Sequence, residues 1–200
     1  MKIGILLPYK ENFSPEYPGA VSLFVYETSK TSKFKKNIIV FGNTNYKKKF
    51  NLKYVNIDLF NNPLRSQTRS YVNKFISLQE KFNFSIIEVH NRPSYINLLH
   101  KNLKNKVFSL YFHNDPLSMD GSKTIQERKS LLKNCYKIIF NSNWSKKRFL
   151  EGLENKFVNS NKLVVFFQSA QKSNLNVIKI KKNWITFVGK LNNAKGYDIF

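Results

Sequence analysis

Two short apolar runs, FSIIEV at residues 84–89 and VFSLYF at 107–112, each break off at a histidine–asparagine pair, His90-Asn91 and His113-Asn114. Both runs are rich in Ile, Val and Phe and lack the polar alternation of a half-exposed strand, so they read as strands buried on both faces. Between them, Pro93 suits a first helical turn, and Ile96, Leu98, Leu99 and Leu103 supply an apolar face up to Lys104. A strand–helix–strand unit of this length closes in the right-handed sense and makes its strands parallel. Both polar clusters then fall at the carboxyl ends of neighbouring parallel strands, the edge where open α/β sheets bind their ligands.

The rest of the chain repeats the alternation. Residues 2–7 read as a first strand, followed by a loop containing Tyr9, Glu11 and Tyr17. Gly19-Ala20 opens a helix with Val21, Phe24, Val25 and Thr28 at helical spacing. Strands are expected at 37–42 (NIIVFG), 53–57, 137–141 (KIIFN) and 162–167 (KLVVFF). Helices are expected at 66–82 with Ser66 as cap, at 124–136 with a Thr124/Glu127 capping box, and after Ser142-Asn143 through Trp144 and Phe149. Six or seven strands alternating with helices predict an α/β fold, a Rossmann-like doubly wound parallel sheet. Residues 1–168 form this domain. Residues 169–183 turn polar and read as a linker. At residues 184–188 (WITFV) a strand restarts and leads through KLNNAKG towards a helix that Phe200 interrupts. These last residues are too few to bury their own apolar faces, which predicts a truncated second domain at 184–200.

Composition narrows the chemistry. The 200 residues are 42% hydrophobic, enough for a core, and no run reaches the ~18 apolar residues of a membrane span. The opening MKIGILLPYK turns polar too soon for a secretory leader, so a cytoplasmic location is expected. One cysteine and three scattered histidines suggest no metal site; Cys135 reads as a small buried hydrophobe. The net charge of +22 has two readings. It is either a compositional habit that gives solvated lysine faces, or attraction to an anionic partner such as a lipid leaflet, a nucleic acid or a phosphorylated substrate. The lysines are spread along the chain, and no nucleic-acid motif accompanies them, which argues against nucleic acid.

The ordered set of segments resembles family 4 of the retaining glycosyltransferases, two-lobed enzymes of the GT-B type. FVGKLNNAKG is similar to the strand, VGRL and KG with which the second lobe of that family often opens; here these are Val188, Gly189, Lys190, Leu191, Lys195 and Gly196. The glycine loop at Gly19, the EVHNRP segment at 88–93, the HNDPL segment at 113–117 and the stretch from Cys135 to Trp144 resemble first-lobe segments of a branch that includes lipopolysaccharide-core and spore-coat transferases. Coverage is nearly the whole chain, with departures. Lys190 stands for the arginine of VGRL and loses its bidentate fork, Gln168-Ser169-Ala170 replaces a common Asn-Gly turn, and the E-x7-E element of the second lobe is absent.

The resemblance implies sugar transfer from a nucleotide-diphosphate sugar to a glycan or lipid-linked acceptor, with retention and without a metal or other cofactor. It assigns Gly19, Lys190 and Lys195 to the donor, His113 to the reacting sugar, and the His90-Asn91-Arg92 cluster to the acceptor. Each has a plainer reading. Gly19 is turn chemistry, Lys190 and Lys195 are surface lysines, His113 structures the HNDP turn, and Arg92 pairs with Glu88. Glu88 reads as structural, as do Asn114 and Asp115, which suit an Asx turn before Pro116. His100 reads as a surface or packing residue. The basic surface is expected to hold the protein beside an anionic membrane. The competing function is a non-catalytic basic Rossmann-like module that binds nucleic acid or anionic membrane without chemistry.

Overall fold

The computed structural model describes residues 1–59 and 66–169. Seven strands alternate with five helices in the order β1 (Ile3–Leu6), α1 (Ala20–Thr31), β2 (Ile38–Gly42), β3 (Tyr54–Asn56), α2 (Gln67–Gln79), β4 (Ile86–His90), α3 (Ser94–Asn102), β5 (Val107–Phe112), α4 (Ile125–Asn134), β6 (Lys137–Phe140), α5 (Asn143–Leu150) and β7 (Leu163–Val165). Every strand pairing is parallel, and the sheet order is β3-β2-β1-β4-β5-β6-β7. This is the Rossmann-like doubly wound sheet that the alternation predicts. The chain winds one way from β1 to β3, then crosses to build β4 to β7 on the other side of β1. The order reverses between β1 and β4, the switch point where such sheets leave a crevice.

The strands are short, continuous and apolar because both sheet faces are covered. Successive residues of β1 and β2 feed two separate cores. Ile5, Leu7 and Val40 pack with Val21 and Val25 of α1. Leu6 and Phe41 point the other way, into a larger core with Tyr71 and Phe75 of α2, Ile96 and Leu99 of α3, Leu131 of α4 and Phe149 of α5. The period-2 alternation of the strands therefore assigns α1 to one face and α2–α5 to the other. Phe41, Phe75, Phe82 and Phe84 meet edge-on or stacked at centroid distances of 5.0–5.6 Å, a geometry that adds to simple burial.

Helix starts follow the local chemistry expected of them. The Ser66 hydroxyl accepts from Arg69 N. Thr124 and Glu127 close a reciprocal capping box, and Ser142 does the same with Ser145. Several elements are shorter than their sequence patterns. α2 stops at Gln79 rather than Phe82, because the chain turns through Asn83 at φ 49° to enter β4; asparagine tolerates that left-handed region. Met1–Gln168 forms one compact unit. The linker from residue 170 and the strand and helix expected at 184–200 lie outside the described residues. Among the described residues, no helix is long and apolar enough to cross a membrane.

Candidate functional site

β4 and β5 pair in register, with Glu88 beside Ser109 and His90 beside Tyr111. Strand alternation then turns Glu88 and His90 of β4, and Tyr111 and His113 of the β5 end, towards the face carrying α1. The two strand-end histidines meet there. His90 Nδ1 and His113 Nε2 lie 2.9 Å apart, and His90 Nε2 lies 2.7 Å from Glu88 Oε1. On the outer side, His113 Nδ1 lies 3.1 Å from Gln168 Nε2, just beyond β7. Four side chains from three strand ends thus form one line along the carboxyl rim.

Aromatic packing fixes the line in place. The Tyr111 ring stacks on His90 at 4.6 Å, and Phe24 of α1 meets His113 edge-on at 4.9 Å. His90 is fully buried, whereas His113 is only partly covered. Burial, and secondarily the neighbouring His90, pushes the His113 imidazole down from its ordinary range to about 3. His113 is therefore a neutral imidazole at physiological pH, suited to hydrogen bonding rather than to carrying charge.

Asn91 stitches the rim. It sits at φ 54°, its N–H donates to Tyr111 O at 2.7 Å, and its Oδ1 accepts from His113 N at 3.2 Å. Arg92 donates to the Asn91 carbonyl at 2.8 Å and, among the described residues, pairs with no carboxylate; the alternative salt bridge to Glu88 does not form, and Glu88 instead meets His90 Nε2. Asp115 is structural in two ways. It accepts from Leu117 N at 3.0 Å, making the expected Asx turn, and it pairs with Arg148 of α5 at 3.2 Å. His100, on α3, contacts the Phe108 ring at a centroid distance of 6.1 Å, away from the rim line.

Gly19 stands immediately before α1, but its surroundings differ from an open anion seat. Glu11 from the preceding loop folds back, and its Oε1 accepts from Ser22 N at 2.9 Å. A Cβ at Gly19 would lie 1.9 Å from that oxygen. The helix N-terminus, with its favourable partial positive charge, is thus capped by the chain's own carboxylate. Glycine at position 19 lets the Glu11 carboxylate lie close against the backbone, and its φ of −77° is one that any residue adopts.

Two features were not legible in the sequence. The first is the engagement of Glu88 and Gln168 with the histidines, which needs the strand register and the exit path of β7. The second is a polar cleft of about 530 Å³ on the β1–β3 side of the same rim, lined among others by Tyr9, Lys10, Asn12, Asn43, Asn45 and Gln67. Its one sequence signal is the pair Asn43 and Asn45 just after β2. Cys135 is buried, and burial pushes its thiol up to about 12, so it is no nucleophile. Among the described residues, no cluster of three or more His, Cys, Asp or Glu side chains has the disposition to hold a metal. Lys190 and Lys195 lie outside the described residues.

No protein-family model and no curated protein matches the chain. Solved structures do. The chain is similar to Anabaena HepE crystallised with UDP and glucose, with a TM-score of 0.57 and 13% identity over 84% of this chain and 44% of HepE. HepE crystals with UDP-glucose and with UDP each match at a TM-score of 0.55, at 13% and 14% identity. At that identity the likeness establishes the fold. The chain spans less than half the length of the HepE structures it matches.

Proposed function

We propose that residues 1–168 are the acceptor-side domain of a retaining, family 4-type glycosyltransferase, and that residues 184–200 open its donor-side domain. The donor is a nucleotide-diphosphate hexose, and the acceptor is a cell-envelope glycan or a lipid-linked sugar of the lipopolysaccharide-core kind. The observation that carries this reading is the pairing of His90 and His113 at the carboxyl rim of a sheet whose fold is that of proteins crystallised with UDP-glucose. The neutral His113 imidazole and the Gln168 carboxamide at the outer end of the line suit the hydroxyls of a sugar. The adjoining cleft is lined by four amide side chains together with Tyr9, Lys10 and Leu59, and its amides offer both donors and acceptors, which suits a polyhydroxylated acceptor.

The chemistry required is modest. Transfer passes through an oxocarbenium-like centre while a diphosphate departs, and cationic side chains can take that charge without a metal. Lys190 and Lys195 are assigned to this task, with Gly19 placing the α1 turn against the donor. For Gly19 to do so, Glu11 must swing off Ser22, because its carboxylate occupies the position next to Gly19. His113 holds sugar hydroxyls, and Arg92 is left to face an anionic acceptor at the cytoplasmic side of the membrane.

The test is release of nucleoside diphosphate by the native polypeptide that carries residues 1–200, with UDP-glucose and the other common sugar nucleotides, in the presence of envelope glycans. Release that depends on acceptor is expected. Absence of release with every donor, together with salt-dependent binding to duplex nucleic acid, would instead favour the non-catalytic module.

A further inference from the structure

The line Glu88–His90–His113–Gln168 admits one assignment of protons when both imidazoles are neutral. A carboxylate only accepts, so the hydrogen facing Glu88 belongs to His90 Nε2. His90 Nδ1 then carries a lone pair, and the bond at 2.9 Å requires His113 to donate from Nε2. His113 Nδ1 is left with its lone pair pointing outward, and Gln168 Nε2 donates to it at 3.1 Å. All three bonds run in one direction, from Gln168 inward to Glu88, and none is left unsatisfied.

We propose that Glu88 and His90 are positioning residues that hold His113 as its Nε2–H tautomer, so that the rim offers an acceptor nitrogen and selects a hydrogen-bond donor such as a sugar hydroxyl. Gln168 shows the chemistry of the partner that fits, an N–H in place of an O–H. Glu88 reaches the ligand only through two rings, so its role is to set the direction of the bonds. The placement is rigid because His90 has no exposure and lies against Tyr111 on one side and Phe24 at 6.1 Å on another. Which nitrogen carries the proton is set by the group bonded to the other nitrogen, and only a carboxylate at the inner end enforces one choice. An amide at position 88 can present either N–H or C=O and loses that constraint. The identity of the ligand as a sugar rests on the glycosyl-transfer reading; the tautomer does not.

The chain has three histidines, so its imidazole nitrogen spectrum is assignable by substitution. The test is a long-range proton–nitrogen correlation on histidine-labelled protein at neutral pH. The expected spectrum has His113 Nδ1 in the unprotonated range and Nε2 in the protonated range, with His90 showing the same pattern. In Glu88→Gln, whose shape is unchanged, and in His90→Phe, the His113 signals should shift towards a mixture of both tautomers, while backbone amide spectra report that the fold is kept. A protonated Nδ1 on His113 in the unaltered protein overturns the proposal. So does an unchanged single tautomer in both variants, the result expected if Glu88 and His90 merely pack. No sugar nucleotide is present, so failure here leaves diphosphate release untouched, and failure of that assay leaves this result standing.

Discussion

His113 is the residue where burial and chemistry meet. Its folded-state value of about 3 lies below the ordinary histidine value. The unfolded chain therefore takes up a proton first as the solution is acidified, at pH ~6.5, and stability is lost as pH falls from there towards about 3. His113→Asn removes that titration while retaining a polar side chain. Urea midpoints at pH 7 and pH 4 should show a smaller acid-induced loss in the variant than in the parent; parallel losses would contradict the burial assigned to this ring. The placement of His113 was legible because the apolar run VFSLYF ends one residue before it. Its bond to His90 was not. That bond depends on His90 lying beside Tyr111 across the β4–β5 ladder, a register that no single strand encodes.

At the scale of elements, local signals were the readable ones. The capping box expected at Thr124 and Glu127 and the cap expected at Ser142 are each local to one turn, and both form, Ser142 through a reciprocal pair with Ser145 that was not read from the sequence. The cap of α1 was not readable, because its acceptor, Glu11, comes from a loop eleven positions before Ser22. Nor was the tie between α4 and α5. Arg128 is buried at 3% exposure, and its Nη1 donates to Phe149 O and Glu151 O, each at 2.6 Å. These are carbonyls at the end of α5, of the kind that have no partner within the helix. The sequence offers Arg128 as one more cation in a basic chain. Arg128→Met keeps the apolar stem but leaves both carbonyls short of a donor, at a cost of about 2–4 kcal/mol. Denaturant unfolding measures it, and a loss below about 0.5 kcal/mol, the range of ordinary surface changes, would show that Arg128 is a solvated charge after all.

For the whole molecule, the alternation of apolar runs with helical spacing was enough to predict the parallel sheet, since each strand had to be covered on both faces. The sheet order, and with it the switch between β1 and β4, comes from long-range pairing that the alternation leaves open. Charge also acts at this scale. With +22 on 200 residues, the chain is expected to bind vesicles containing phosphatidylserine at low ionic strength. It should be released as salt shortens the screening length to ~8 Å or less. Failure to bind at low salt would return the lysines to a compositional habit.

The central claim is that the histidine rim holds the sugar that is transferred, and kcat/KM of acceptor-dependent diphosphate release in two histidine variants tests it most directly. His113→Ala removes the ring at the rim, and the unmet hydroxyl costs ~1–3 kcal/mol, which is about fivefold to 150-fold in rate. His100→Ala alters a ring on α3 away from the rim and should leave kcat/KM at the parent value. Equal activity of the His113→Ala protein and the parent would contradict the account.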